Sequence, residues 1–126
     1  MNGTTEPSGR ASHAPPGPLL AEITTRMVHL HKECYGRGPT KGRSHWHEDV
    51  IVVVLEGGLT TIEQTLRETH ALELVTRQRT AVQETLRDRF TSAITELTGR
   101  DVSTYVSALE PEHQTTVHVF ILARSP

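Results

Sequence analysis

The 126-residue chain is short of several things that would point to a function directly. It has one cysteine, Cys34, so no intramolecular disulfide can form, which fits a reducing compartment. Aromatic residues make up 4% of it, too few for the stacking platforms of single-stranded nucleic-acid binders. Its net charge is −2, so no global field draws in nucleic acid or an acidic membrane. The longest apolar run, Val50 to Leu55, is far too short to span a bilayer. The N-terminus is polar where the hydrophobic segment of a secretory signal would lie. The expectation is a cytoplasmic chain with no nucleic-acid partner. A nucleic-acid-binding module built on a GxxG-type loop is the least favoured reading.

Residues 1–18 hold four of the seven prolines, with Met1 and two alanines as their only apolar residues. Such a stretch buries too little surface to offset its ordering entropy, so it reads as a disordered tail before a single domain over 19–126. From Pro18 onward, Leu20, Ile23, Met27, Leu30 and Cys34 recur at spacings of three and four, predicting an amphipathic helix that stops at Gly36. Arg43–His47 and Val50–Glu56 read as strands around a Glu48-Asp49 turn. Thr60-x-x-Glu63 after Gly57-Gly58 is a capping box, in which hydroxyl and carboxylate each take one orphan N–H. The helix it opens runs to Leu97, with Ile62, Leu66, Leu74, Val75, Val82, Leu86, Phe90, Ile94 and Leu97 as its apolar stripe and Gly99 as its cap. Unbroken, it would be roughly 55 Å long, against a radius of gyration of roughly 14 Å for a domain of this size. It must therefore break near Thr69–Ala71 or project onto a partner.

Two strands close the chain, one alternating from Val102 and one reading TVHVFILA from Thr116. The expected fold class is α+β, in the order helix, two strands, one long second helix, two strands, with a mostly antiparallel four-stranded sheet. Val50–Leu55 and Val117–Leu122 are apolar on both faces, as strands covered on both sides are. Two helices cover one face well, so a homodimer is expected to cover the other.

Several residues carry candidate chemistry. Arg37, Lys41 and Arg43 place three cations within seven residues, beside Thr40 and glycine-exposed N–H groups, which suits a small anion or phosphate. The competing reading is a loop whose glycines and proline serve the turn. The Walker A spacing is absent, and the loop leaves a helix for a strand, the reverse of a phosphate-cradling loop. His45 and His47 share one side of a strand, as metal ligands would, yet no motif supplies a third ligand, so no metal is expected. Cys34 reads as a core residue at the end of a stripe. Arg77 and Arg79 are expected on the wet face of the long helix, either as a solvated face or as a docking surface for a protein. No nucleophile triad, paired-carboxylate motif or cofactor fingerprint occurs, so neither enzymatic activity nor a cofactor is expected.

The Gly-x-Gly-Pro-Thr-Lys loop at Gly36–Lys41, Leu59-Thr60-x-x-Glu63, Arg77-x-Arg79 and Thr98-Gly99-Arg100 together carry a resemblance. From about Leu19 to Leu122 the chain resembles a family of small bacterial proteins, long a domain of unknown function. That family is labelled the C component of a sodium-translocating membrane-potential-generating system. The chain departs from its pattern at His45-Trp46-His47. The resemblance implies an accessory or regulatory role beside a membrane system that handles ions or inorganic carbon, through a membrane transport protein as partner. It carries over no reaction. The alternative is a small-anion or phosphate sensor that uses the Gly36–Arg43 loop.

Overall fold

A computed structural model describes residues 17–124. Helix α1 (Gly17–Tyr35) is followed by β1 (Lys41–His47) and β2 (Val50–Glu56). Three helices come next: α2 (Thr61–Glu68), α3 (Leu72–Thr85) and α4 (Arg87–Thr98). Strands β3 (Val102–Glu110) and β4 (Thr115–Leu122) end the chain. The sheet is antiparallel throughout, in the order β1-β2-β4-β3. The α+β class and the four-stranded sheet follow the sequence reading. The stretch expected to be a tail lies outside the described residues up to residue 16, and Gly17 and Pro18 open α1.

The long second helix is not one helix. It breaks at Thr69–Ala71, where His70 takes a left-handed φ of +61°, and it bends again at Leu86. The physical reason lies in the stripe. On a straight helix of 3.6 residues per turn Ile62 would lie about 220° around the axis from Val75, so one axis cannot serve both, and the break resets the phase. Val75, Phe90 and Ile94, beyond it, are fully buried. Ile62 and Leu74, counted into the stripe by sequence, are instead 70% and 45% exposed.

α1 follows its periodicity. Ile23, Met27 and Leu30 are buried, and Gly36 ends the helix at φ +80° with its N–H donated to the Lys32 carbonyl (2.9 Å). The helix crosses β1 at Gly42, where a Cβ would lie 2.9 Å from Thr24 Cγ2 and 3.0 Å from Leu55 Cδ2. Ile51, Val53, Leu55, Tyr105, Phe120 and Leu122 line the inner sheet face against Phe90, Ala93 and Ile94 of α4. Arg100 fastens the far end, donating to Asp49 Oδ1 (2.8 Å) and to the Ala123 carbonyl (3.1 Å). Those bonds hold the Asp49 carboxyl below its ordinary pKa.

Helices α1, α3 and α4 pack on one face of the sheet, and α2 packs against α3. By the alternation of the strands, the other face carries Val50, Val52 and Val54 of β2, Val117, Val119 and Ile121 of β4, and Val106 and Ala108 of β3. None of the eight is buried, and Val106 is 54% exposed.

Candidate functional site

The Gly36–Arg43 loop lies at the end of the sheet where β1 begins and β2 ends. Gly57 and Gly58 leave β2 with φ +83° and +89°. A Cβ on Gly57 would sit 2.6 Å from Thr40 Oγ1, and one on Gly58 3.0 Å from the Pro39 nitrogen. The two glycines therefore let the β2–α2 turn lie directly against the loop. The Thr40 N–H donates to the Glu56 carbonyl (2.8 Å) and fixes the loop's exit.

A cleft of about 490 Å³ opens there, lined by Arg37, Thr40 and Lys41, the Gly57-Gly58 backbone, Gln64, and Glu112–Gln114 of the β3–β4 turn. Three of the four loop residues read as an anion site, Arg37, Thr40 and Lys41, thus share one cleft. Arg43 does not: it lies two residues further along the same outer face and pairs with Glu56 (2.9 Å). Among the described residues, neither Arg37 nor Lys41 has an ion-pair partner. Glu56 also lines the cleft, so its field is mixed rather than purely cationic.

Behind the cleft the capping box does more than cap. Thr60 accepts from the Glu63 N–H (3.2 Å), and the Thr60 N–H donates to Glu63 Oε1 (2.9 Å). Glu63 is fully buried and is gripped by Arg79, with Nε 2.8 Å from Oε2 and Nη2 2.6 Å from Oε1. Gln78 adds a bond to Oε2 (2.9 Å). The Arg79 guanidinium also donates to the Gly58 carbonyl (3.0 Å) and lies 3.7 Å over the Tyr35 ring. Burial pushes the Glu63 carboxyl up, but the bonds from Arg79 and the Thr60 backbone outweigh it and leave it lowered. Arg79, expected on a wet docking face, is thus an interior residue at 2% exposure, while Arg77 stays exposed. Arg79 falls four residues after the buried Val75 and seven before Leu86, a phase that places it inward.

A second buried group was missed by sequence. His31 Nε2 and His118 Nε2 are 2.8 Å apart, and His118 Nδ1 is 2.7 Å from Tyr105 Oη. His31 and His118 are 1% and 0% exposed, edge-to-face, with Phe90 packed on both. One ring donates and the other accepts, and burial favours the neutral form of both. Burial, and then Arg79, push the His31 pKa down to about 4. Burial, with His31 beside it, holds His118 well below its usual range. The signal for His118 was present: it shares the inward phase of Thr116 and Phe120 in an otherwise apolar strand. His45 and His47 lie exposed on the outer face of β1, and among the described residues no cluster of three metal-ligating side chains occurs. Cys34 is half-buried, 3.6 Å from Arg89 Nη1.

The family model described as the Na+-translocating membrane potential-generating system (MpsC) matches residues 16–124. No curated protein and no solved structure matches the chain.

Proposed function

The chain belongs to the MpsC family of the Na+-translocating membrane potential-generating system, and from that premise we propose that it is a non-catalytic, cytoplasmic accessory or regulatory subunit. In this reading it works as a homodimer and is held beside the membrane by a transport-protein partner. The observation that carries the proposal is the outer sheet face. Eight apolar side chains there have no helix over them, which is the surface of a subunit made to be covered. The buried polar groups support a structural role, since Glu63, Arg79, His31, His118 and Tyr105 bond chiefly to one another. Among the described residues no helix is long and apolar enough to cross a membrane, so the partner would supply that part. Capture of the tagged chain from mildly solubilised native membranes should bring down an integral membrane protein. Recovery of all the chain free of membrane protein would defeat the proposal.

The cleft favours a second reading, a small-anion or phosphate sensor. Arg37 and Lys41 face it without an ion-pair partner among the described residues, beside glycine N–H groups. Inorganic phosphate or bicarbonate should then raise the melting temperature, and Lys41→Gln should remove the effect. No shift with either anion would rule it out.

A further inference from the structure

We propose that the outer sheet face is closed by a second copy of this chain, related by a two-fold axis running along the strands, so that β1 of each copy lies over β3 of the other. This deepens the homodimer reading above and rests on it.

The register of the sheet carries the argument. On the outer face, the strands form four rows across the order β1-β2-β4-β3. They are Lys41–Glu56–Thr115–Glu110, Arg43–Val54–Val117–Ala108, His45–Val52–Val119–Val106 and His47–Val50–Ile121–Thr104. The two central strands are apolar apart from the Glu56–Thr115 end. The cations and histidines all fall on the β1 edge, and Glu110 stands at the end of the opposite edge. Aligned face-to-face packing by a two-fold axis allows two arrangements. An axis across the strands sets β1 upon β1, stacking Lys41 on His47 and Arg43 on His45 of the second copy, and it lays Glu56 on Val50. An axis along the strands keeps each row at its own level and exchanges the edges. Lys41 then meets Glu110 of the second copy, and Val50, Val52 and Val54 meet Ile121, Val119 and Val117. Charge and apolarity agree only in the second arrangement, and the contact is self-complementary, as an isologous interface must be.

The size is adequate. Four strands about 4.8 Å apart and seven residues long at about 3.3 Å each give a flat footprint of roughly 440 Å². That is already more than half of the roughly 800 Å² per partner of a standard interface, before side-chain relief is counted. Aligned sheets pack about 10 Å apart at about 30°, which a lysine spans at the rim. Residues 1–16 are a poor alternative cover, with Met1, Ala11 and Ala14 as their only apolar residues. Lys41 also lines the cleft, so Glu110 of the second copy would approach its rim.

Sedimentation equilibrium of the full chain in low salt tests this. The wild type should run at twice its 14.0 kDa mass. Val119→Lys, at the centre of the face and away from the core, should run as a folded monomer with an unchanged circular dichroism spectrum. Lys41→Glu or Glu110→Lys alone turns two attractive contacts repulsive and should weaken the dimer roughly tenfold. The double reversal Lys41→Glu/Glu110→Lys should restore it. A monomeric wild type at high micromolar concentration, or a Val119→Lys dimer, overturns the proposal. So does a double reversal weaker than either single one, which overturns the axis assignment. Flotation of a monomeric wild type with phosphatidylglycerol vesicles would assign the face to lipid and overturn it as well. A monomer that still captures a membrane protein removes the dimer and leaves the subunit reading standing.

Discussion

Lowering the pH from 7.5 to 5 should destabilise this protein through the His31–His118 pair. Each ring is neutral and bonded in the folded state, and each is an ordinary histidine near pKa 6.5 when unfolded. The unfolded chain therefore binds more protons below pH 6.5. Stability is full above that value and falls as the pH drops, by about 1.4 kcal/mol per unit for each ring. For His31 the loss continues until about 4, its folded pKa. His31 alone therefore removes roughly 2 kcal/mol by pH 5, and His118, held down by burial too, adds to that loss. For a chain of this length that is a sizeable share of a total stability of roughly 6–15 kcal/mol. The other groups facing the pair do not titrate in this window. Tyr105 is pushed up to about 12, Tyr35 is raised, and Glu63 is lowered. Urea midpoints followed by circular dichroism at pH 7.5, 6.5, 5.5 and 5.0 should fall in step with this slope. His31→Leu/His118→Phe should flatten it, whatever the double substitution does to stability at pH 7.5. A wild-type midpoint constant between pH 7.5 and 5, or an undiminished slope in the variant, would refute the reasoning.

Arg79→Met should cost about 3–5 kcal/mol in urea unfolding, because it strands the buried Glu63 charge; the double variant with Glu63→Gln should be less destabilised than that. Thr60→Ala should cost about 1 kcal/mol by losing the α2 cap, and an unchanged midpoint would show that the cap contributes nothing. Gly58→Ala should cost more than about 1 kcal/mol, since the residue sits at φ +89° with its Cβ 3.0 Å from the Pro39 nitrogen. Lys41→Gln/Arg43→Gln should shift stability by no more than about 0.5 kcal/mol, because both side chains are exposed. A larger loss would show that the Arg43–Glu56 pair is tied into the fold.

The gathering of the cleft illustrates how far local signals reach. Gly36, Gly57, Gly58 and Gly99 were legible as turn and cap positions because their conformational need is local, and each takes a positive φ. The capping box was legible for the same reason. Its carboxylate also holds a buried arginine sixteen residues away, and that has no local signature. Arg79 looked solvated because arginine usually is, although its phase with Val75 and Leu86 points inward, and in the fold it lies over Tyr35. Ile62 failed in the opposite sense, counted into a stripe that the break at Thr69–Ala71 rotates away, and Leu74 lies about 100° around α3 from the buried Val75.

By itself the sequence determined the element types, the α+β class, the turn positions and the two strands apolar on both faces. Those follow from periodicity and backbone preference over a few residues, and they do not depend on what lies opposite. The tertiary structure alone decided the strand order and the gathering of α1, α3 and α4 on one face, since pairing partners are chosen by packing across long separations. From that choice came the buried Glu63–Arg79 clamp, the His31–His118–Tyr105 chain, the cleft that joins Arg37 and Lys41 to the β3–β4 turn, and the bare valine face. Each is a contact between residues far apart in the chain, where burial changes the strength of a charge or a hydrogen bond in a way that composition cannot record.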